Sequence, residues 1–193
     1  GCIADAMRED GLAPRDRDVL AITESIVARA QGNYASVDAI AADVKAKLGG
    51  GTVGVMATPL TTDSEKLHAL EARWQEKCNI IPLPTPGLVE LVEAGKAVSA
   101  ESEALLRPML APYAGKLDAV VLGCTHYPFA AKTIRKVLGE NTAVLDGGEG
   151  TARQTKRLLE ERGWLREGKG SLKMENSSGK QELLDLGMEL LRR

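Results

Sequence analysis

Aromatic residues are nearly missing from this 193-residue chain: one Phe, two Trp and three Tyr make up 3% of it. A core built without them must rely on Ala, Val, Leu and Ile, the residues of buried parallel sheets. Cysteine is scarce too. Cys2, Cys78 and Cys124 are an odd number with no C-x-x-C pair. That argues against a disulfide framework and against a structural zinc site, and it suits a reducing cytoplasm. An excess of one charge is also lacking. Lys plus Arg is 25 and Asp plus Glu is 27, with no long basic run, so no nucleic-acid partner is expected. A small anionic substrate stays compatible with that balance, because a local site can be positive while the total is not. No run of 18 or more apolar residues occurs, which excludes a membrane-spanning helix from the expectations. The opening GCIADAMRED is short and acidic, unlike a signal peptide. Its missing initiator Met points to a chain processed or excised from something longer.

What is present is order. Hydrophobic residues make up 44% of the chain, too many for a disordered one. The length suits one or two domains with a real core. No repeat at solenoid periods occurs. Short apolar runs alternate with helical patterns instead. DVLAIT (18–23) reads as a strand. SVDAIAADVKAKL (36–48) reads as a helix with Ser36 as N-cap and Ile40, Val44 and Leu48 four apart. GGG at 49–51 breaks the chain and marks a boundary. TVGVMA (52–57), NIIPLP (79–84), LDAVVLG (117–123) and TAVLD (142–146) read as strands. Helices are expected between them. One carries Leu67, Leu70 and Trp74 on one face. Another is capped by Ser99, with Glu101 and Glu103 in its first turn, and Pro108 is expected to kink or split it. SLKMENS and KQELLDLGMELLRR close the chain as a strand and a helix. Strands alternating with helices in this way define an α/β fold with a doubly wound parallel sheet.

Ligands of such sheets bind beyond the carboxyl ends of the strands. Two loops there stand out. The first is GCTHYP. On an extended chain Cys124 and His126 would face the same way, and a following helix would point its N-terminus at the thiol. Both neighbours would lower the thiol pKa towards neutrality, making it a base or a nucleophile. His126 could tune the thiol or donate a proton, and Thr125 with nearby N–H groups could hold a carboxylate. The alternative is a buried structural cysteine beside a hydrogen-bonded histidine. The second loop is ATPLTTDS, where Thr58, Thr61 and Thr62 offer hydroxyls suited to a carboxylate or a phosphate. Ordinary helix capping would explain the same residues. Elsewhere DGGEGTAR contains no G-x-G-x-x-G and reads as a turn into a helix rather than a dinucleotide site. His68 should face solvent and Cys78 should be buried. Glu93, near a helix end, would by itself be an exposed carboxylate.

LGCTHYPF resembles the second catalytic motif of the glutamate racemases, within the aspartate/glutamate racemase family. TVGVMATPLTTDSEKL, IIPLPTPGLVELVEAGK, LLAPYAGKLDAVVLGCTHYPF and LDGGEGTARQTKRLLEERG are similar to the same family, in family order. The resemblance spans about residues 52–193. It implies a racemase that interconverts L- and D-glutamate for cell-wall precursor supply without metal or cofactor, by proton transfer between two cysteines on opposite faces of the substrate. Cys124 would be one of those thiols, His126 its assisting residue and Thr125 a substrate contact. Thr58 and Thr61 would hold substrate, and Glu93 would be a carboxylate near the second thiol. A homodimer is among the assemblies the resemblance allows.

The family's Asp-Ser-Gly and Cys-Asn-Thr motifs, which belong to its first half, do not occur here, and Thr85 stands where the family often has Cys. Instead DRDVLAITESIVARAQGN resembles the start of the γ-glutamyl ligases of deazaflavin-cofactor biosynthesis, over about the first 50 residues. The expected organisation is therefore a short ligase-like segment at 1–51, a racemase-like α/β domain at 52–140, and a C-terminal βαβα segment at 141–193. The family's first half is largely missing or replaced. A catalytically incomplete α/β module that acts as a binding or fusion domain is the competing expectation.

Overall fold

The structure, a computed structural model, describes residues 11, 51–74, 78–165, 168, 172–176 and 178–192. The strand expected at 18–23 and the helix expected at 36–48 lie outside the described residues, as does Cys2. The chain divides into two compact units, one of Gly1–Ala35 with Thr155–Glu167 and the other of Ser36–Gln154 with Gly168–Arg193. The second unit holds the sheet.

Along the described residues, strands alternate with one or more helical segments. They are β1 (Thr52–Ala57), α1 (Pro59–Thr62), α2 (Glu65–Trp74), β2 (Asn79–Pro84), α3 (Leu88–Glu93) and α4 (Ala100–Leu110). After them come a 3-10 turn (Ala111–Tyr113), β3 (Ala119–Leu122), a second 3-10 turn (Tyr127–Ala130), α5 (Ala131–Leu138) and β4 (Ala143–Leu145). The helices α6 (Gly148–Glu161) and α7 (Gln181–Leu190) complete the set among the described residues. Ser99 caps α4 as expected, its side chain accepting from the Ser102 N–H at 3.1 Å. Pro108 does not split that helix. It sits two residues before the end at Leu110, so the N–H it lacks costs one bond near a terminus, to an exposed Ala104. Residues 172–176 of the expected strand SLKMENS form no strand. Met174 packs instead on α7, where a Cβ at Gly187 would come within 2.6 Å of its Sδ.

The strands are all parallel and ordered β2-β1-β3-β4. The chain leaves β1 sideways for β2, then crosses back over β1 to reach β3 and continues to β4. Right-handed crossovers in opposite directions put α2 on one face and α3, α4 and α5 on the other. Packing agrees: α4 lies against α3 and α5, while α2 lies against β2. The sheet is thus doubly wound, with its switch point between β1 and β3.

The two faces carry unequal cores. Met56, Leu83, Val120 and Leu122 of the sheet meet Leu88 and Val92 of α3, Leu106 and Leu110 of α4, and Ile134 and Leu138 of α5. Each such side chain contributes roughly 1.5–3 kcal/mol by burial. The alternate residues Val53 and Ala119 form a small second cluster with Cys78, Val121, Ala143 and Leu145. Gly54 is demanded by the larger core: a Cβ there would stand 2.6 Å from Leu83 Cδ1 and 3.0 Å from Leu117 Cδ1.

Candidate active site at the switch point

In an open parallel sheet the crevice opens where the winding reverses, outside the carboxyl ends of the strands. Here that position lies between the exits of β1 and β3. Met56 pairs with Leu122, and the ladder closes with Gly123 N–H donating to the Met56 carbonyl at 2.8 Å. Thr58 and Cys124 therefore leave the sheet side by side.

After Gly123 the chain turns at once. The extended chain on which the sequence makes the pairing of Cys124 and His126 conditional is not formed, because His126 adopts right-handed helical angles (φ −80°, ψ −30°) and the Tyr127 N–H donates back to the Cys124 carbonyl at 3.2 Å. The element that follows is a short 3-10 turn, with α5 beginning only at Ala131. Cys124 and His126 meet all the same, through the turn: Sγ and Nδ1 are 3.8 Å apart. The other ring nitrogen, Nε2, lies 3.1 Å from Glu93 Oε1 at the end of α3. Glu93 is exposed, as expected of it alone, but it is not idle.

The line Cys124–His126–Glu93 has a definite chemical sense. A carboxylate only accepts, so Nε2 donates to Glu93. Nδ1 is then an acceptor for the thiol when the ring is neutral, or a donor to the thiolate when the ring is charged. The pair is open to water, with 66% of the Glu93 side chain and 33% of that of His126 exposed. Its worth lies in orienting the ring rather than in stability.

At the exit of β1, Thr58 precedes α1 but its side chain caps no backbone group. Its hydroxyl faces that of Thr61 at 3.1 Å. Capping is done elsewhere: Ser64 Oγ accepts from the Leu67 N–H at 3.3 Å. Thr62 turns inwards, 3% exposed, and donates to the Pro59 carbonyl at 3.0 Å. Thr61 and Thr125 are exposed. His68 is exposed on α2, as expected.

Two residues unassigned from the sequence tie these exits together. Thr85, just beyond β2, is 1% exposed and its N–H donates to the Ala57 carbonyl at 3.0 Å. Its own carbonyl accepts the hydroxyl of the fully buried Tyr127 at 2.9 Å. Burial first, and then the neighbouring Cys124 charge, push the Tyr127 phenol up to about 12. The signal available beforehand was a tyrosine in a chain nearly without aromatics, but its partner lies 42 residues away.

Cys78 is remote. It precedes β2 at the amino end of the sheet, whereas Cys124 follows β3 at the carboxyl end. Strands rise about 3.3 Å per residue, so six residues separate the two ends by about 20 Å. Burial, and then the Asp118 carboxylate, raise the Cys78 pKa. Among the described residues no group of three or more His, Cys, Asp or Glu side chains gathers as a metal site, and no helix is long and apolar enough to cross a membrane.

The sheet order defines an α/β protein, and the loop chemistry gives it a candidate site at the switch point. Residues 1–107 match the family model of the F420-0:Gamma-glutamyl ligases, and on that match the chain belongs to this family. The match runs beyond the opening 50 residues, through β1, β2 and α3. Over about three quarters of its length the chain is also similar to glutamate racemases. That of Clostridium perfringens is 41% identical over 144 residues, 73% of this chain and 55% of that protein. That of Clostridium kluyveri is 43% identical over 145 residues, covering 74% and 56%. The chain thus spans about half the length of the curated relatives it matches. Escherichia coli glutamate racemase, solved with L-glutamate and the activator UDP-MurNAc-ala, aligns with a TM-score of 0.56 at 32% identity over 72% of this chain and 55% of that one. Campylobacter jejuni glutamate racemase, at 24% identity, shares the fold with a TM-score of 0.63, covering 86% and 67%.

Proposed function

We propose that this chain carries a glutamate-racemase site in which Cys124 moves the α-proton of glutamate without a cofactor. The observation that carries the reading is the Cys124–His126–Glu93 line at the switch point of a racemase-like sheet. The α-proton of an amino acid is a very weak acid. With no electron sink in play, its removal depends on positioning, exclusion of water and hydrogen bonds to the carboxylate as charge develops. Cys124 is the acid/base thiol, His126 takes and returns its proton, and Glu93 orients His126. Thr58, Thr61 and Thr125 bind the substrate carboxylate and amine. Both family names concern glutamate or a glutamyl group, which supports glutamate as the ligand. The role in the cell is supply of D-glutamate for peptidoglycan in the cytoplasm. Residues 1–51 are a ligase-like segment, 52–140 the domain with the site, into which the ligase match continues as far as residue 107, and 141–193 the C-terminal segment.

A second reading is favoured by one specific observation. Inversion needs two groups of matched pKa on opposite faces, and Cys78 stands at the far end of the sheet. The module would then be catalytically incomplete. Incubation with L- and D-glutamate in heavy water, followed by proton NMR, separates the readings, with Cys124→Ser as control. Exchange of both enantiomers with inversion supports the racemase. Exchange of L-glutamate alone shows a competent Cys124 without its opposite. No exchange of either, in a folded protein, overturns the assignment of Cys124 as a base.

A further inference from the structure

We infer that Tyr127 is a positioning residue, whose buried hydroxyl locks the Cys124–His126 turn to the exit of β2. The inference rests on the reading of Cys124 as the acid/base thiol, but its geometry stands by itself. Three strand exits are joined by consecutive hydrogen bonds. Gly123 N–H donates to the Met56 carbonyl at 2.8 Å, and Thr85 N–H donates to the Ala57 carbonyl at 3.0 Å. The Tyr127 hydroxyl then donates to the Thr85 carbonyl at 2.9 Å, and the Tyr127 N–H to the Cys124 carbonyl at 3.2 Å. Thr85 is itself held, its hydroxyl donating to the Leu83 carbonyl at 2.9 Å.

Tyr127 is therefore bonded at both ends. Its backbone closes the turn that brings Sγ to within 3.8 Å of Nδ1, and its side chain anchors that turn 42 residues away in sequence. Both ends of the bond are buried, so water cannot replace it. A thiol base must be held to a fraction of an ångström to meet a C–H bond, and a turn of irregular backbone cannot supply such rigidity alone. The groups that share this corner are His126 on the turn and Glu90 and Glu93 from α3.

The test compares the full chain with Tyr127→Phe and Thr85→Ala. Alkylation of Cys124 by iodoacetamide is followed peptide by peptide as a function of pH, so that Cys2 and Cys78 are read separately. Deuterium exchange into glutamate is followed in parallel. Tyr127→Phe is expected to move the pH midpoint of Cys124 alkylation by half a unit or more, to lower kcat for exchange about tenfold, and to leave KM within about twofold. Thr85→Ala, which loosens the accepting carbonyl while keeping it, should shift both in the same direction by less. Unchanged alkylation and exchange in a folded Tyr127→Phe protein would overturn the inference. If that variant does not fold, an unchanged Thr85→Ala profile does so. Absence of exchange in the parent chain would sink the racemase reading alone, because the alkylation profile still reports on the lock.

Discussion

The turn after β3 and the loop after β1 flank the same switch point, yet they are held in place by different means. The β3 turn is rooted: Tyr127 and Ala130 are fully buried, and the core of α3, α4 and α5 closes beneath them. The β1 loop is satisfied locally. Its hydroxyls bond within the loop, and Leu60 stands 87% exposed. The contrast matches two different chemical demands. A base that attacks a C–H bond has no tolerance for displacement, while hydroxyls that donate to a carboxylate can adjust as it arrives. On the proposed reading, rigidity is concentrated where the proton transfer is most sensitive to geometry.

The widest separation between the two exits should come from the thiol itself. Cys124→Ser replaces it with a far weaker acid in the same turn, and proton exchange should fall by about 10³-fold, read by NMR in heavy water. No single change in the β1 loop should approach that loss. If a threonine variant there matched it, the division into base and binder would be wrong.

A stability measurement sharpens the same contrast. Leu106 of α4 is fully buried in the core that roots the β3 turn. Leu106→Ala should cost about 2–5 kcal/mol in urea unfolding. Leu60→Ser in the β1 loop should stay within about 0.5 kcal/mol of the parent. Equal losses would mean that the β1 loop is rooted as well.

Titration reaches the root directly. Below its ordinary pKa of about 10 the Tyr127 phenol is neutral both folded and unfolded, and its contribution is complete. Folding raises its pKa to about 12 by burial, so the unfolded chain ionises first. Stability is thus lost as pH rises from about 10 through about 12, on the order of 2 kcal/mol. Urea midpoints across that window should fall more steeply for the parent than for Tyr127→Phe, which has no phenol to ionise. Parallel curves would show that Tyr127 is not sealed.

Much of this was legible in the sequence because it depends on local pattern. Apolar runs mark β1 and β2 to the residue, and the central β1, buried at four of its six positions, needs no alternation. Ser99 announced α4 by capping chemistry. The Cys-Thr-His motif marked the site because such residues seldom end a buried strand without cause. What stayed hidden depends on distance or on backbone angle. Nothing local says that the chain bends at Cys124, so the sequence offers the meeting of Cys124 and His126 only on the condition of an extended chain, whereas the turn brings it about. The Tyr127–Thr85 bond joins residues far apart in sequence. SLKMENS looked like a strand because Leu172 and Met174 alternate with polar residues. Met174 uses that spacing to reach Gly187, while Leu172 stays 69% exposed.

The finest test separates two neighbouring threonines. Thr61 and Thr62 are adjacent and alike in chemistry, but α1 leaves one exposed and buries the other. Thr61 is exposed with its hydroxyl against that of Thr58, whereas Thr62 is 3% exposed and bonded to the Pro59 carbonyl. Valine keeps the shape of each and deletes only the hydroxyl. Thr61→Val should raise KM for glutamate about tenfold, the loss of one hydrogen bond to a charged group, and leave stability within about 0.5 kcal/mol. Thr62→Val should do the reverse, costing about 1 kcal/mol in urea with KM little changed. Since the two substitutions are identical, any shared effect on the loop cancels in the comparison. A KM that rises equally in both would mean that the loop responds as one body, and that its hydroxyls hold shape rather than substrate.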